Sequence, residues 1–311
     1  MKKTRLVSLL LALALVAAVF AGCAPTAAAP TPAGVTDMTG REVALAAPAQ
    51  KVVVLTAADC EILYAIGAGD MVVGRGEYCT YPEAVLGVPA VQSGAETNIE
   101  QIIGLAPDLV IVGTMAQTQE QIAALENAGI KVAVSNAQNI EGVYQAIAMI
   151  GALTGKDAEA AAVVDNMKST FADIASKVTG KGEKTVYFEV SPLEYGLWAA
   201  GSGTFMDELA TMLGLTNAFK DVQTWGEISQ EQVFERDPDY IVTIAMYFGE
   251  GQTPVEEIIG REGWQNLKAV KNNAIINADS NEISLPGPRL ADAAKTLYAF
   301  IYEGKAVAPA A

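Results

Sequence analysis

One fifteen-residue pattern occurs twice, 131 positions apart: residues 98–112 read NIEQIIGLAPDLVIV and residues 229–243 read SQEQVFERDPDYIVT. Each copy starts on a helix N-cap residue, Asn98 or Ser229, with a glutamine three positions on, Gln101 or Gln232, where a capping-box partner reaches back to the cap. Each short helix has to stop before its Pro-Asp pair, Pro107-Asp108 or Pro238-Asp239, because proline pushes the preceding residue out of the helical region. An apolar, β-rich run follows both times, so helix, tight turn and buried strand are predicted in duplicate. That is half of a βαβ unit used twice, and it restricts the chain to an α/β architecture with two related halves. Glu100 and Glu231 hold the same second helical position in the two copies. Taken singly, either is accounted for by the helix macrodipole. Their equivalence asks for a shared role.

With 311 residues, 51% of them apolar, the chain can build two medium domains. Residues 1–22 read as a secretory leader: Lys2, Lys3 and Arg5 form a basic end, residues 9–20 an apolar core, and Ala21-Gly22 the small residues before cleavage. The apolar run is short for a membrane span and a polar tail follows it. Phe20-Ala21-Gly22-Cys23 resembles the bacterial lipobox, in which Cys23 would become the lipidated first residue. Residues 23–35, rich in Ala, Pro and Thr, read as a flexible tether. The expected location is outside the cytoplasm, lipid-anchored at the outer face of the cell membrane or in the periplasm.

Twenty basic against 36 acidic residues give a formal charge of −16, more negative once Lys2, Lys3 and Arg5 leave with the leader. Such a surface repels nucleic acid and anionic headgroups, which excludes nucleic-acid functions and leaves the lipid anchor as the only membrane attachment. Histidine is absent, which removes Ser-His-Asp and Cys-His catalysis and most transition-metal sites. No catalytic residue, resident cofactor or metal site is therefore expected. Cys60 and Cys79 are too few for a disulfide framework; a bridge is allowed outside the cell, but the spacing does not show whether the sulfurs meet.

Along the chain, a hairpin is predicted over 36–45, then strand 52–55, helix 59–66, strand 71–74 and a long loop, 75–97. After the first repeated unit come helix 117–128, strand 131–134 and helices 141–153 and 157–178. The order then returns: strand 185–190, helix 204–213, a long loop to 228, the second repeated unit, helix 255–267, strand 274–277 and helix 289–302. The fold class is α/β, with two Rossmann-like lobes of mostly parallel sheets joined by one long helix and a ligand cleft between them. The expected divisions are an N-terminal lobe over 36–153, a connecting segment over 154–180 and a C-terminal lobe over 181–311. The connecting helix would run about 33 Å, with Val163, Met167, Phe171 and Ile174 as its apolar stripe.

Ligands of open α/β sheets bind outside the carboxyl ends of the strands. Tyr78, Tyr81, Trp198, Trp225 and Tyr247, with Tyr195, Phe205 and Phe248, fall in or beside those loops, a composition suited to a large, flat or greasy ligand. Tyr81 and Trp225, from the two equivalent long loops, are expected to face each other. Arg75 and Arg289 are candidates for a ligand carboxylate or phosphate, or equally for structural ion pairs. Gly201-Ser202-Gly203-Thr204 reads as a turn with Thr204 as N-cap in preference to an anion site, since it lacks the P-loop lysine.

The segments TDMTGREV, VVGRGEYCTYP, NIEQIIGLAPDLVI, GSGTFMDELATMLGL, SQEQVFERDPDYIV and PGPRL together resemble the periplasmic-binding family that delivers ferric siderophores, haem and cobalamin to ABC importers. The resemblance covers nearly all of residues 36–303. It implies two lobes joined by a long helix, and one glutamate per lobe, Glu100 and Glu231, docking on arginines of a permease dimer that works with ATPase subunits. Residues 78–82 and Thr224-Trp225 are similar to cleft segments of the cobalamin-binding member. Where that member has further cleft tryptophans, this chain has Ser93-Gly94 and Thr114-Met115. The implied function is that of a monomeric, lipid-anchored receptor for a ferric siderophore or corrinoid, with any metal arriving inside the ligand. The alternatives are a haem receptor of the same family, for which no histidine ligand is present, and an exported hydrolase using paired carboxylates.

Overall fold

The computed structural model describes residues 33–114, 119–178, 182–247 and 249–304; the leader, Cys23 and the tether up to residue 32 lie outside them. The entry hairpin pairs β1 (Ala33–Thr36) antiparallel with β2 (Glu42–Leu45). Strands β3 (Val52–Val54), β4 (Val72–Gly76), β5 (Ala90–Val91), β6 (Leu109–Gly113) and β7 (Lys131–Ser135) then form a parallel sheet in the order β5-β4-β3-β6-β7. Its helices are α1 (Ala57–Ala65), α2 (Ile99–Gly104), α3 (Gln119–Asn127) and α4 (Ile140–Thr154).

Successive strand side chains point to opposite faces. Val52, Val54, Leu109 and Ile111 therefore join a large cluster with α1 and α4, while Val53, Val110, Val112 and Val132 meet Ile102 of α2 and Leu125 of α3. Both faces are covered, which is why these strands read as unbroken apolar runs.

The long helix α5 (Asp157–Lys177) comes next, 21 residues and about 32 Å long. Met167, Phe171 and Ile174 are buried along it, and Val163 is partly so. The second sheet contains β8 (Thr185–Ser191), β9 (Trp198–Ala200), β10 (Thr216–Asn217), β11 (Trp225–Glu227), β12 (Tyr240–Thr243) and β13 (Ile275–Asn277). Its order is β11-β9-β8-β12-β13, with β10 also on β8; β9 and β11 form an antiparallel edge on an otherwise parallel sheet. The helices are α6 (Phe205–Met212), α7 (Gln230–Arg236), α8 (Pro254–Gly260), α9 (Lys268–Lys271), α10 (Ser280–Ser284) and α11 (Leu290–Glu303). The helix expected over 255–267 is interrupted: α8 ends at Gly260, and Gly263 adopts φ +85°, a left-handed conformation that no continuous helix contains.

Helix α5 packs on α4 from the first lobe and on α6 and α11 from the second. The large cluster accordingly continues into Val186, Phe188, Val242 and Ile276 of the second sheet, so one core crosses both lobes. Two polar contacts add to this junction. Arg289 is paired with Glu61, and the Ile140 N–H at the start of α4 donates to Glu208 Oε2 of α6 at 2.7 Å.

In the repeated unit, the Asn98 and Ser229 side chains accept from the Gln101 and Gln232 N–H groups, as expected. Only the second copy closes a full capping box. Gln101 Nε2 donates instead to the Ala90 carbonyl of neighbouring β5 at 2.8 Å, a partner the second copy lacks. The two aspartates of the Pro-Asp pairs share one job: Asp108 Oδ2 accepts the Gln50 and Lys51 N–H groups at 2.9 Å, and Asp239 Oδ2 accepts the Thr185 N–H at 2.9 Å. Each fastens the repeated turn to the start of the neighbouring strand.

Candidate functional site

Strands β3, β6 and β7 run parallel and end side by side, so the residues that follow them converge. A cleft of about 250 Å³ opens there. Thr56 to Asp59, Gly113, Thr114 and Ser135 to Gln138 form its wall on the first lobe, and Phe205, Trp225, Ser284, Leu285 and Pro286 on the second. Thr114 Oγ1 donates to Asn136 Oδ1 at 2.7 Å, and Gln138 Nε2 donates to the same oxygen at 2.9 Å, which fixes a polar rim.

Asp59 forms the floor. Thr56 caps α1, its hydroxyl accepting the Asp59 N–H at 3.4 Å while donating to Asp59 Oδ2. The residue is only 2% exposed. Burial pushes its carboxyl up to about 6, a rise held back by the Thr56 and Ser135 hydroxyls. The Ser135 hydroxyl stands close enough to favour the charged carboxyl as a donor, yet it completes no hydrogen bond of ordinary geometry, and Oδ1 is left without a partner.

A larger cavity, about 620 Å³, is walled by α5 through Val163 and Met167 and by Glu61, Tyr64, Tyr81 and Arg289. Its principal charged pair, Glu61 and Arg289, is already satisfied internally, whereas the smaller cleft gathers the segments that follow the parallel strands and carries an unpartnered polar atom. The smaller one is the candidate ligand cleft.

Of the aromatic candidates, Trp225 lines this cleft and is 42% exposed. Tyr81 lines the larger cavity, with the Arg289 guanidinium 4.2 Å from its ring centre. The two rings therefore line different cavities. Arg75 explains the difference: its guanidinium donates to the carbonyls of Val88, Gly76, Glu77 and Cys79, folding the loop back on itself. Arg75 thus braces the loop. Arg289 is likewise a structural cation, bound to Glu61 at 2.7 and 3.0 Å with Asp279 and Glu282 within 4 Å. Tyr78 (79% exposed), Trp198 (39% exposed) and the half-buried Tyr247 line neither cavity.

Cys60 and Cys79 are free and buried, their thiols directed at the carbonyls of Tyr81 and Val54. Thr204 caps α6 by accepting the Asp207 N–H, so the Gly-Ser-Gly-Thr stretch is a capped turn. Glu100 and Glu231 are exposed in the first turns of α2 and α7, on helices that cover different sheets. The Ser229 hydroxyl and local backbone hold the Glu231 carboxyl below its usual range. One turn further on, the equivalent Ile103 and Phe234 are also exposed.

Asp59, Asn136 and Gln138 were not singled out from sequence, and Thr114 only as a position where the cobalamin-binding member has a tryptophan. The available signal was positional: Thr56, Thr114 and Ser135-Asn136 are among the first polar residues after three buried runs. Among the described residues, no group of three or more Asp, Glu or Cys side chains is arranged to hold a metal ion, and no helix is long and apolar enough to cross a membrane.

The sequence profile of the periplasmic binding proteins matches residues 52–282. The chain is 34% identical over 277 residues to an uncharacterized ABC transporter substrate-binding lipoprotein of Bacillus subtilis, covering 87% of this chain and 86% of that one. It is 28% identical over 252 residues to a vitamin B12-binding protein of Salmonella choleraesuis, covering 80% and 89% respectively. Among solved structures, a possible iron-binding periplasmic solute-binding protein of Staphylococcus epidermidis superposes with a TM-score of 0.69 at 29% identity, covering 82% of this chain and 99% of that one. The chain belongs to the periplasmic binding protein family.

Proposed function

We propose that this chain is the substrate-binding lipoprotein of an ABC importer, that it captures a corrinoid or a ferric siderophore, and that it hands the ligand to a permease dimer without catalysing a reaction. The observation that carries the reading is the cleft at the strand ends, where Trp225 and Phe205 oppose a rim of hydroxyl and amide groups. Apolar walls with a few convergent polar groups are what a large organic ligand needs. At about 250 Å³ the cleft is smaller than the roughly 300–1,000 Å³ of closed small-molecule pockets. A corrinoid would be held by one edge, with the rest of it against exposed surface at the mouth.

The exposed, equivalent Glu100 and Glu231 supply the docking part of the reading, one carboxylate per lobe for a partner with two equivalent basic sites. Cys23 supplies the anchor, with the protein held at the outer face of the membrane. A hydrolase reading is disfavoured because paired-carboxylate chemistry needs two acids flanking one bond, and among the described residues Asp59 is the sole acid lining the cleft.

Titration of the purified protein with cyanocobalamin, ferric siderophores, haem, a small sugar and an amino acid tests the proposal. Saturable binding of a corrinoid or siderophore is expected. Binding of the sugar or amino acid alone overturns it.

A further inference from the structure

We infer that the cleft selects its ligand by charge: it takes an uncharged or cationic molecule that offers an N–H or O–H donor to Asp59, and turns away anionic ones. This rests on the reading of the cleft as the ligand site and adds the chemical class of what enters.

Three observations support it. Asp59 is the one ionisable side chain lining the cleft among the described residues. Its two oxygens are unequal: Oδ2 is taken by the Thr56 hydroxyl, while Oδ1 is buried with no partner. Among the described residues, no basic side chain lines the cleft to balance it. Arg289, at the lobe junction, is surrounded by Glu61, Asp279 and Glu282, and Arg75 directs its donors at loop carbonyls.

A buried acceptor that no protein donor reaches is costly, so a ligand N–H at Oδ1 supplies the hydrogen bond that no side chain of the cleft makes to it. A carboxylate or catecholate oxygen brought to the same point meets a like charge where water is excluded and no cation compensates. Burial raises the Asp59 carboxyl to about 6, so at pH 7.5 the group is largely ionised and the repulsion is present. Haem propionates and anionic ferric citrate or catecholate complexes are therefore poor occupants. Primary amides, which the corrin periphery carries, and uncharged ferric hydroxamates fit.

The test compares ligands that differ in charge. The purified full chain in detergent is titrated calorimetrically at pH 7.5 with cyanocobalamin and with its isomeric monocarboxylic acids, in each of which one propionamide has become a carboxylate. An uncharged ferric trihydroxamate and a trianionic ferric tricatecholate form a second pair. At least one acid is expected to bind about 10-fold or more weakly than cyanocobalamin, and Asp59→Asn to bring the two within about 3-fold. A melting curve establishes that the variant is folded, and Asp59→Ser serves if it is not. Equal binding of cyanocobalamin and all its acids, or discrimination unchanged in Asp59→Asn, overturns the inference. If cyanocobalamin does not bind but the trihydroxamate does and the tricatecholate is refused, the charge rule stands and the corrinoid reading falls. Preference for the tricatecholate overturns the charge rule and leaves the receptor reading intact; binding of none overturns both.

Discussion

Glu61 Oε1 and Arg289 Nη2 lie 2.7 Å apart, with a second bond of 3.0 Å between Oε2 and Nε, and they join residues 228 positions apart across the junction of the lobes. Both side chains are largely buried. Arg289→Ala would strand the Glu61 carboxylate, and a loss of about 3–5 kcal/mol is expected. The double change Glu61→Gln with Arg289→Met should cost far less, because no charge is left uncompensated. Urea denaturation measures both, and a single-variant loss below about 1 kcal/mol would contradict the assignment.

Asp59 predicts a pH dependence of stability. Its folded pKa, about 6, stands above the ordinary carboxyl value of 3.8. The folded state therefore holds a proton that the unfolded chain releases, and stability from this group is full below about 3.8 and falls as pH rises through 6. The difference is worth about 3 kcal/mol. Asp59→Asn should accordingly gain stability on the parent at pH 7.5 and little at pH 4. An advantage that is the same at both pH values would show that the carboxyl does not titrate as described.

Trp225 and Trp198 are exposed to similar degrees, at 42% and 39%, but only Trp225 lines the cleft. An absorbing ligand should quench Trp225 emission most. Trp225→Ala is expected to weaken binding about 10- to 100-fold, the worth of one buried ring, while Trp198→Ala changes it less than about 3-fold. Fluorescence titration of the two variants with cyanocobalamin separates them, and equal losses would place the ligand elsewhere.

Replacing Glu100 and Glu231 by alanine should leave stability and ligand affinity nearly unchanged, because both carboxylates are exposed. Association with the permease should weaken by about 2–5 kcal/mol for each interfacial charge pair that loses a partner. Uptake in cells and ligand titration of the purified variants give the two readouts. Loss of ligand binding in a folded Glu231→Ala protein would end the docking assignment.

Anchoring is expected to depend on Cys23. Cys23→Ser should shift the exported protein from the membrane fraction to the medium or periplasm, as fractionation and blotting would report. Retention equal to the parent would count against lipidation.

Much of the fold was legible because its signals are local. Asn98 and Ser229 cap their helices, the prolines end them, and the alternation of Val52 to Val54 and Leu109 to Val112 sorts each strand between two clusters. The cleft was less legible because its contents are set by distant pairings. Asp59 reads in sequence as the first residue of an ordinary helix over 59–66; in the structure it is the third, behind the Thr56 cap, and the arrival of β6 and β7 beside β3 encloses its Oδ1. Gln101 was misread for the same reason, since the Ala90 carbonyl that claims it belongs to a two-residue strand with little pattern of its own. Composition drew notice to aromatics such as Tyr78 and Trp198, but it carries no information about which loop folds towards the cleft.

The core that runs through α5 into both sheets makes the molecule a gauge block. With α4 on one side of that helix and α6 and α11 on the other, the lobes have no soft layer between them to shear. The span from Glu100 to Glu231 is then a length written into the packing. Under the proposed docking role, a partner that grips both carboxylates has to bring its own two halves to that length.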